Sequence, residues 1–369
     1  MKIIFVGNTS WSMIKFRYGL IKYLLLNGYE VYIIAPEDDP STNMLKKLGV
    51  NYIPIEIENK GSNPLKDIIL LFNLKSIYKK IKPDLIIHFT IKPNIYGTIA
   101  SKLLGIPSIA VVTGLGYTFI HNNLIGHIAK ILYKLSFLFA EKVVFLNQDD
   151  KTEFLHRKLV NNSKILQFPG EGIDLEYFKP MQKNRNKAFK FLLVARMLWD
   201  KGIGEYIEAA HILSARYDTV EFGLLGYLDV SNPKAISKKQ MEIWTKEKYI
   251  KFYGAVDDVR LFVNNSDAVV LPSYREGLSM TLMEAAALQK PIITTNVPGC
   301  KDLVVDGDNG FLCKAKDASD LAHSMEKLIL LPENERDQMG INGRLKMTQQ
   351  FAQKIIIDKY INEIINQYN

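Results

Sequence analysis

SYREGLSMTLMEAAALQKP, residues 273–291, follows the apolar run DAVVLP and contains a glycine-bearing turn and then an alanine-rich segment. Strand, turn and short helix in this order form the repeating unit of a parallel sheet. Glu276 lies in the turn and Glu284 in the helix, with seven residues between them. Unpaired N–H groups at such a helix N-terminus attract an anion such as a diphosphate, and a carboxylate further along can accept both hydroxyls of a ribose. Two solvated glutamates on an ordinary amphipathic helix would show the same spacing. The spacing alone therefore does not distinguish a ligand-binding site from a solvated surface.

The N-terminal half of the chain alternates strands and helices in the same way. Short apolar runs predict strands at residues 2–6, 30–35, 51–55, 84–89, 108–112, 142–146 and 164–168. Helix-length segments separate most of them, at 11–27, 64–81, 92–104 and 124–139. This alternation is typical of a parallel sheet covered on both faces, which binds ligands beyond the carboxyl ends of its strands. The loops at residues 7–9, 89–93 and 113–116 are therefore candidate binding loops.

A change in composition divides the chain. Residues 171–188 are rich in Pro, Gly, Asn and Lys and have little periodicity, which predicts a linker. After it, strands are predicted at 189–194, 220–225, 250–253, 268–271 and 292–295, and helices at 202–216, 257–265, 279–288, 318–331, 333–347 and 352–365. We therefore expect an α/β protein with two doubly wound, Rossmann-like domains, residues 1–170 and 189–350.

Two cations follow the first strand of the second domain. In VARMLWDKGI, Arg196 and Lys201 are separated by four residues and lie between a strand end and the next helix. At the carboxyl edge of a parallel sheet they can neutralise two phosphates, the arginine bidentately and the lysine as a point charge. A solvated basic loop is the alternative interpretation.

Composition indicates a globular protein with an acidic partner. Hydrophobic residues make up 47% of the chain, yet no apolar run approaches the roughly 20 residues of a membrane-spanning helix. Cys300 and Cys313 match no zinc or redox spacing and suggest a reducing compartment, by default the cytoplasm. The net charge is +8, and such a charge favours an acidic partner. Because no nucleic-acid module is present and the lysines are scattered, an anionic membrane surface or a phosphorylated substrate fits better than nucleic acid.

Several other motifs are absent from the sequence. The first strand–helix loop reads GNTSWS, and Gly114-Leu115-Gly116 lacks a third glycine, so neither a dinucleotide fingerprint nor a P-loop is present. Asp306 and Asp308 resemble a metal-binding pair, but they lie in VVDGDNGF, where Asp-Gly and Asn-Gly predict a hairpin loop. The six histidines show no ligand spacing. His88 ends a strand and can edge a cleft, although a lone histidine there is more often structural. We predict no metal site and no bound cofactor.

These segments together resemble a known family. The Arg196–Lys201 pair, the Glu276–Glu284 pair in REGLSMTLMEAAA, and the later KPIITTNVPGCKDLV and NGFL are similar to the retaining glycosyltransferases of family 4. PGEGIDLEYFKP and IKPNIYGTIASKLLGIP resemble segments of bacterial members, and WSMIKFRYGLIKYLLLNGYEVYIIAP is similar to members that build lipid-linked or surface polysaccharides. The resemblance covers essentially the whole chain. It implies the GT-B fold, with two domains that face a central cleft and a final helix, residues 351–369, that crosses back to the N-terminal domain.

The resemblance also implies a role for each matching residue. Arg196 and Lys201 would hold the diphosphate of a nucleotide sugar and stabilise the charge that grows on the leaving group. Glu276 would complete this catalytic set by facing the donor sugar, while Glu284 would bind the ribose hydroxyls. The other donor-side candidates are Gly7, Thr113, Gly114, Gly277, Leu278 and Ser279, the last three through amides that cap the phosphates. The acceptor-side candidates are Phe16, Arg17, His88 and Lys92.

One position departs from the family pattern. Many relatives carry a histidine that contacts the donor sugar in the loop after the fifth strand, but Thr113 stands there in VVTGLGYTF. A subset of polysaccharide-building relatives is similar to TGLG at this place. The donor-side polar contact of this loop therefore stays open. The family mechanism needs no side-chain base, because the leaving phosphate itself can accept the proton of the acceptor.

The implied reaction moves a hexose or N-acetylhexosamine from a nucleotide sugar to a polyprenyl-diphosphate-linked or other glycan acceptor. UDP is the expected nucleotide, and neither a metal ion nor nucleic acid is expected to take part. Two other classes stay open. A nucleotide-sugar epimerase of the same fold would need paired acid–base residues beside the sugar, for which His88 and Glu276 are the candidates. A non-catalytic nucleotide-sugar-binding protein is the second alternative.

Residues 124–142, LIGHIAKILYKLSFLFAEK, mix large apolar residues with lysines. A helix of this kind can lie at an anionic bilayer surface, although a core-facing helix with solvated lysines has the same pattern. We expect a cytoplasmic protein that docks transiently on the inner face of the membrane, where a lipid-linked acceptor would be found. The basic and aromatic residues concerned are Lys130, Lys134 and Lys142 here, and Arg17, Lys22 and Tyr23 on an earlier helix.

Overall fold

The sheet strands of the described chain pair with their neighbours in parallel, as the alternation of apolar runs and helices predicts. The computed structural model describes residues 1–58, 63–115, 124–182, 188–230 and 232–368. They form two units, one of Met1–Gly172 with Gln353–Asn369 and one of Ile173–Ala352. Each unit is a doubly wound α/β domain, so the predicted fold class is confirmed.

The first unit is built on a seven-stranded sheet in the order β3-β2-β1-β4-β5-β6-β7. Its strands are β1 (Lys2–Val6), β2 (Glu30–Ala35), β3 (Asn51–Pro54), β4 (Leu85–Phe89), β5 (Ser108–Val112), β6 (Lys142–Phe145) and β7 (Ile165–Gln167). Its helices up to this point are α1 (Ser10–Leu26), α2 (Asp39–Leu48), α3 (Pro64–Ile81), α4 (Thr98–Lys102), α5 (Leu124–Phe139) and α6 (Gln148–His156). The strands β4 and β5 are buried throughout, as expected for central strands between two layers of helices.

The second unit is built on a six-stranded sheet in the order β10-β9-β8-β11-β12-β13. Its strands are β8 (Phe189–Val194), β9 (Val220–Leu225), β10 (Ile250–Phe252), β11 (Ala268–Leu271), β12 (Ile292–Thr295) and β13 (Gly310–Cys313). Its helices are α7 (Ile203–Ser214), α8 (Lys238–Trp244), α9 (Arg260–Asn264), α10 (Met280–Ala287), α11 (Ala318–Leu330) and α12 (Glu333–Lys346). The last helix, α13 (Gln353–Glu363), belongs to the first unit.

Predicted and observed helices agree best where capping residues and proline define a helix end in the local sequence. The helix α3 covers the predicted residues because Asn63 caps its first turn and Pro64 begins it. The helix predicted at 92–104 is instead a π-helical turn, Pro93–Gly97, followed by α4. The helices α2, α6 and α8 are not predicted, because they are largely polar and contain too few apolar residues to show a helical period. No helix in the described ranges has the length and apolarity that crossing a bilayer requires.

The prediction of a hairpin loop in VVDGDNGF is wrong. The strand that follows, β13, pairs in parallel with β12, so this turn does not join antiparallel partners. Asp306 accepts a hydrogen bond from the Leu312 N–H at 2.8 Å, and Asp308 accepts one from the Asn342 amide at 2.8 Å. Both carboxylates therefore stabilise the turn. Across the residues that the structure describes, no group of three or more His, Cys, Asp or Glu side chains could hold a metal ion.

The chain passes between the units after Gly172 and again after Ala352. Residues 183–187 of the predicted linker lie outside the described residues. The earlier part of that linker is packed into the second unit, where the Arg344 guanidinium donates to the carbonyl oxygens of Leu175 and Phe178 at 3.1 and 2.9 Å. In the first unit, α13 packs through the ring of Tyr360 against Phe168, with 5.0 Å between the ring centroids.

Candidate functional site

In the second unit the strand order reverses between β8 and β11. Connections on the two sides of such a point leave the sheet toward opposite faces, and the crevice between them is where open α/β sheets bind ligands. The loop after β8 carries Arg196 and Lys201, and the loop after β11 carries Glu276. The topology therefore brings the predicted cations and carboxylates to one edge of one sheet.

Lys201 and Glu276 contact each other directly. The Lys201 ammonium donates to Oε1 of Glu276, and the Ser273 hydroxyl donates to the same oxygen at 2.7 Å. The side chains of Lys201 and Glu276 are 20% and 15% exposed, so the pair is partly shielded from water. The ammonium of Lys201 and the carboxylate of Glu276 therefore neutralise each other here.

Backbone contacts hold the two loops together. The carbonyl oxygen of Asp200 accepts the Tyr274 N–H at 2.9 Å and the Ser273 hydroxyl at 3.3 Å. Gly202 has φ 72°, and a Cβ at this position would collide with the carbonyl oxygen of Pro272. Glycine is thus required by both conformation and contact. The separation of Lys201 from Glu276 is consequently set by packed backbone as well as by their ion pair.

The N-terminus of α10 is organised differently from the prediction in one respect. Ser279 caps the helix, its hydroxyl accepting the Leu282 N–H at 3.4 Å. Its own N–H donates to the carbonyl oxygen of Gly299 at 3.0 Å, and the Glu276 N–H donates to Pro298 at 3.1 Å. The prediction that the Ser279 amide caps a phosphate is therefore corrected, because the neighbouring loop already uses this donor.

Glu284 and Arg196 differ in exposure. Glu284 lies within α10 and is only 4% exposed, an unusual position for a carboxylate in a short helix. Arg196 is exposed, and in the described part of the chain no ion pair involves it. Arg196, an exposed cation in the same loop as Lys201, is therefore accessible to an anionic ligand.

Cys300 lies behind the acidic residue of the site. It follows Gly299, whose carbonyl oxygen holds Ser279, and it is fully buried. Burial, together with the nearby negative charge of Glu276, raises the pKa of the Cys300 thiol to about 12. The thiol is therefore protonated at neutral pH and contributes packing instead of a nucleophile.

Three of the predicted residues lie at strand ends of the first unit. Gly7 follows β1 and donates its N–H to the Ile34 carbonyl at 3.1 Å, and a Cβ here would require the terminal methyl group of Met13 to move. Thr113 and Gly114 follow β5 and are half-buried, with Gly114 at φ 137°. Gly116, the last residue of this predicted loop, lies outside the described residues.

His88 is not available to a substrate, which corrects its prediction as an acceptor-side residue. Its side chain is fully buried in β4, with Nε2 3.0 Å from the Tyr78 hydroxyl and Nδ1 3.4 Å from the Thr98 hydroxyl. Burial lowers its pKa to about 3, so the imidazole is neutral at physiological pH. Gly97, the residue before α4, packs against the ring so closely that a Cβ there would collide with it.

The predicted acceptor-side cations are engaged in ion pairs within the first unit. Arg17 is 3% exposed, pairs with Glu171, and lies over the ring of Phe89 at 4.3 Å. Its guanidinium also lies 5.2 Å from the ring of Phe16, so this pair packs together. Lys92 donates to Asp67 at 2.7 Å. An acceptor that bound Arg17 would have to displace Glu171, whereas the side chain of Lys92 is 16% exposed and stays an acceptor-side candidate.

Two residues beside the site, Tyr274 and Glu205, are not predicted from the sequence. Tyr274 lies in the turn before Glu276, and its hydroxyl donates to Oε1 of Glu205 in the first turn of α7 at 2.6 Å. Tyr274 lies in SYREGLSMTLMEAAALQKP but has no predicted role there, Glu205 belongs to no motif, and the two are far apart in sequence. Only the strand order, which places the loops after β8 and β11 side by side, would have indicated that they meet.

Comparison with known proteins gives family matches over both halves of the chain. Residues 2–147 match the family model described as "Glycosyl transferase 4-like", and residues 176–346 match "Glycosyl transferases group 1". The chain is 31% identical to the N,N'-diacetylbacillosaminyl-diphospho-undecaprenol alpha-1,3-N-acetylgalactosaminyltransferase of Campylobacter jejuni, over 98% of this chain and 97% of that protein. It is 26% identical to the UDP-Gal:alpha-D-GlcNAc-diphosphoundecaprenol alpha-1,3-galactosyltransferase of Escherichia coli, over 95% and 94%.

Solved structures share the fold at lower identity. HepE of Anabaena in complex with UDP-glucose superposes with a TM-score of 0.81 at 19% identity, over the whole of both chains. A glycosyltransferase from Rickettsia africae gives a TM-score of 0.81 at 19% identity, over 100% of this chain and 98% of that one. At such identities these likenesses concern the fold alone, which is GT-B.

Proposed function

We propose the reaction of this protein from the premise that the chain belongs to glycosyltransferase family 4. It transfers a hexose or N-acetylhexosamine from a nucleotide sugar to a glycan acceptor, with retention of the anomeric configuration. One observation carries the assignment of the site. Lys201, Glu276 and Ser273 meet at the switch point of the second sheet, where a ligand would be expected.

In this proposal Arg196 and Lys201 bind the diphosphate of the donor. Negative charge grows on the leaving nucleoside diphosphate as the glycosidic bond breaks, and fixed cations beside it lower the barrier. Glu276, released from Lys201, accepts hydrogen bonds from hydroxyls of the donor sugar, and Glu284 takes the ribose. The amides of Gly277 and Leu278 contribute to the phosphate site. Gly7, Thr113 and Gly114, at strand ends of the first unit, are proposed as further substrate contacts.

The proposed acceptor is a glycan on a polyprenyl diphosphate, and the proposed nucleotide is UDP. The relatives from Campylobacter jejuni and Escherichia coli are both named for sugars on diphospho-undecaprenol, and the second is named for UDP-galactose as donor. The net charge of +8 suits substrates that both carry diphosphates.

The reaction is proposed to need no metal ion, because Arg196 and Lys201 supply the positive charge that a divalent ion would otherwise provide. We expect sugar transfer to continue at an unchanged rate after treatment with excess EDTA. Initial rates with EDTA, and with EDTA followed by manganese, test this. Loss of transfer with EDTA and its return with manganese would contradict the proposal.

The protein is further proposed to act in the cytoplasm, at the inner face of the membrane. The surface concerned is the outer face of α5, where Ile128, Ile131, Leu135 and Leu138 are exposed at helical spacing. Lys134 is exposed on the same helix, whereas Lys130 is buried and Lys142 donates to the Ser163 carbonyl. An exposed apolar stripe with a neighbouring cation suits an anionic bilayer.

We expect the protein to float with anionic liposomes at low salt and to be released as salt rises. The double variant Ile131→Glu with Leu138→Glu should lose flotation, because two charges would enter the apolar stripe. Leu330→Glu alters an equally exposed leucine on α11 of the second unit and serves as the control. Absence of flotation at low salt, or equal flotation of all three proteins, would contradict membrane docking through α5.

The proposed function is tested by identifying which molecule carries the sugar after incubation with a UDP-sugar. The protein is incubated with UDP-sugars alone and then with a polyprenyl-diphosphate-linked acceptor, and the products are separated by chromatography. We expect acceptor-dependent transfer with release of UDP. An epimerised donor in the absence of acceptor would identify an epimerase, and binding without turnover would identify a non-catalytic protein.

A further inference from the structure

Tyr274 connects three segments around the candidate site. Its N–H donates to the Asp200 carbonyl at 2.9 Å, next to Lys201, and its hydroxyl donates to Glu205 at 2.6 Å. The ammonium of Lys316, in the segment that follows β13, lies 5.0 Å from the centre of its ring. Tyr274 itself lies two residues before Glu276. One side chain therefore ties the loop that carries the carboxylate to the helix that follows the lysine.

Glu205 has the Tyr274 hydroxyl as the hydrogen-bond donor to one of its two carboxylate oxygens. One oxygen of Glu205 receives the tyrosine hydroxyl, while the other is buried and has no hydrogen-bond partner among the described residues. A buried carboxylate oxygen without a donor is costly, so removing the hydroxyl would leave Glu205 poorly satisfied. Burial and the hydrogen bond to Glu205 also raise the pKa of Tyr274, which keeps the hydroxyl protonated and able to donate.

The contact matters most once the donor is bound. The Lys201–Glu276 ion pair itself helps to hold the two loops together. In the proposed reaction the diphosphate takes the ammonium of Lys201 from Glu276 and so removes this link, whereas the Tyr274 hydroxyl donates to Glu205, which is not among the proposed donor-binding residues. The relative position of Lys201 and Glu276 would then rest on the Tyr274–Glu205 hydrogen bond and on the backbone packing of Asp200 and Gly202 against the loop after β11.

We propose that Tyr274 and Glu205 form a positioning pair that keeps Lys201 and Glu276 at their working separation after the donor has broken the ion pair between them. The inference rests on the proposed glycosyl transfer and adds two residues to it that touch no substrate. Misplacement of catalytic groups by a fraction of an ångström reduces the rate of the chemical step more than it reduces ground-state binding. The pair should thus affect kcat more than the affinity for UDP.

The test compares variants that remove the Tyr274–Glu205 hydrogen bond with one that keeps an acceptor oxygen at residue 205 and one that removes a similar hydrogen bond elsewhere in the second unit. Tyr274→Phe removes the hydroxyl but keeps the ring beside Lys316, and we expect kcat for transfer to fall roughly tenfold while the Kd for UDP changes less than about twofold. Glu205→Leu should reproduce this loss, and Glu205→Gln, which keeps an acceptor oxygen, should largely restore the rate. The matched control is Tyr217→Phe, which removes a tyrosine–glutamate hydrogen bond of 3.1 Å to Glu326 beyond the far end of α7.

The outcomes separate this inference from the proposed function. Thermal unfolding of each variant shows whether it is folded at the assay temperature. If Tyr274→Phe and Tyr217→Phe transfer sugar at the same rate as the wild type, the positioning pair is overturned while the proposed function stands. If kcat falls equally in Glu205→Gln and Glu205→Leu, the hydrogen bond is not the cause and the inference is also overturned. If the wild type itself transfers no sugar, the proposed function fails and the inference fails with it.

Discussion

Replacement of Lys201 by alanine should reduce sugar transfer by about two to three orders of magnitude while the protein stays folded. The proposed reaction places growing negative charge on the diphosphate beside this ammonium, and loss of one such group typically costs roughly 3–4 kcal/mol of transition-state stabilisation. The variant also leaves the Glu276 carboxylate without its cation, so the diphosphate would meet an uncompensated negative charge. Steady-state kcat and kcat/KM with a UDP-sugar and acceptor measure the effect.

Lys190→Ala is the matched control for this change. Lys190 lies in β8 of the same unit and pairs with Glu221 at 3.4 Å, with a side chain 28% exposed. Its loss removes a comparable ion pair in the same sheet without touching the switch-point loops. The proposal requires the control to keep nearly the wild-type rate; a Lys201→Ala enzyme that matched it would remove Lys201 from the diphosphate site.

Replacement of Glu276 by glutamine should change UDP binding and sugar transfer in opposite directions. The carboxylate neutralises Lys201 in the structure, and in the proposed reaction it competes with the diphosphate for this ammonium. Removing its charge should tighten UDP binding by about threefold to tenfold, since a partly exposed ion pair contributes on the order of 1 kcal/mol. Transfer should fall about tenfold or more, because the carboxylate would no longer accept charge-assisted hydrogen bonds from the donor sugar.

Calorimetric titration with UDP and initial rates of transfer measure the two effects on the same preparation. Glu221→Gln, which removes the charge of the glutamate paired with Lys190, is the control and should alter neither. Weaker UDP binding by Glu276→Gln would mean that the carboxylate does not compete for Lys201. Unchanged transfer would mean that Glu276 does not contact the donor sugar.

The sequence could predict the sheets and one edge of the site because these depend on local patterns and topology. Apolar runs of strand length alternate with helices along the chain, and the parallel arrangement follows from that alternation. Arg196, Lys201 and Glu276 all follow strands, and strand ends in a doubly wound sheet share one edge. That edge is where the structure joins Lys201 to Glu276.

The side chains of the first unit could not be predicted in the same way. His88 also lies near the end of a strand, but its side chain points into the packing against Tyr78 and Thr98, and period and spacing do not reveal which way such a residue points. Arg17 reads as a surface cation on a helix, yet Glu171, more than a hundred residues later, buries it. Contacts between residues so distant in sequence depend on the tertiary packing of the unit.

The central claim is that Arg196 and Lys201 hold a nucleoside diphosphate at the switch point of the second sheet. Calorimetric titration of the full chain with UDP and with uridine, for the wild type, Arg196→Ala, Lys201→Ala and the surface control Arg216→Ala, tests it most directly. Each site variant should bind UDP about ten times or more weakly than the wild type, as expected for loss of a charge-assisted hydrogen bond. Arg216→Ala should match the wild type, and uridine, which lacks the diphosphate, should bind all four proteins alike. Equal affinity of all four proteins for UDP would contradict the claim.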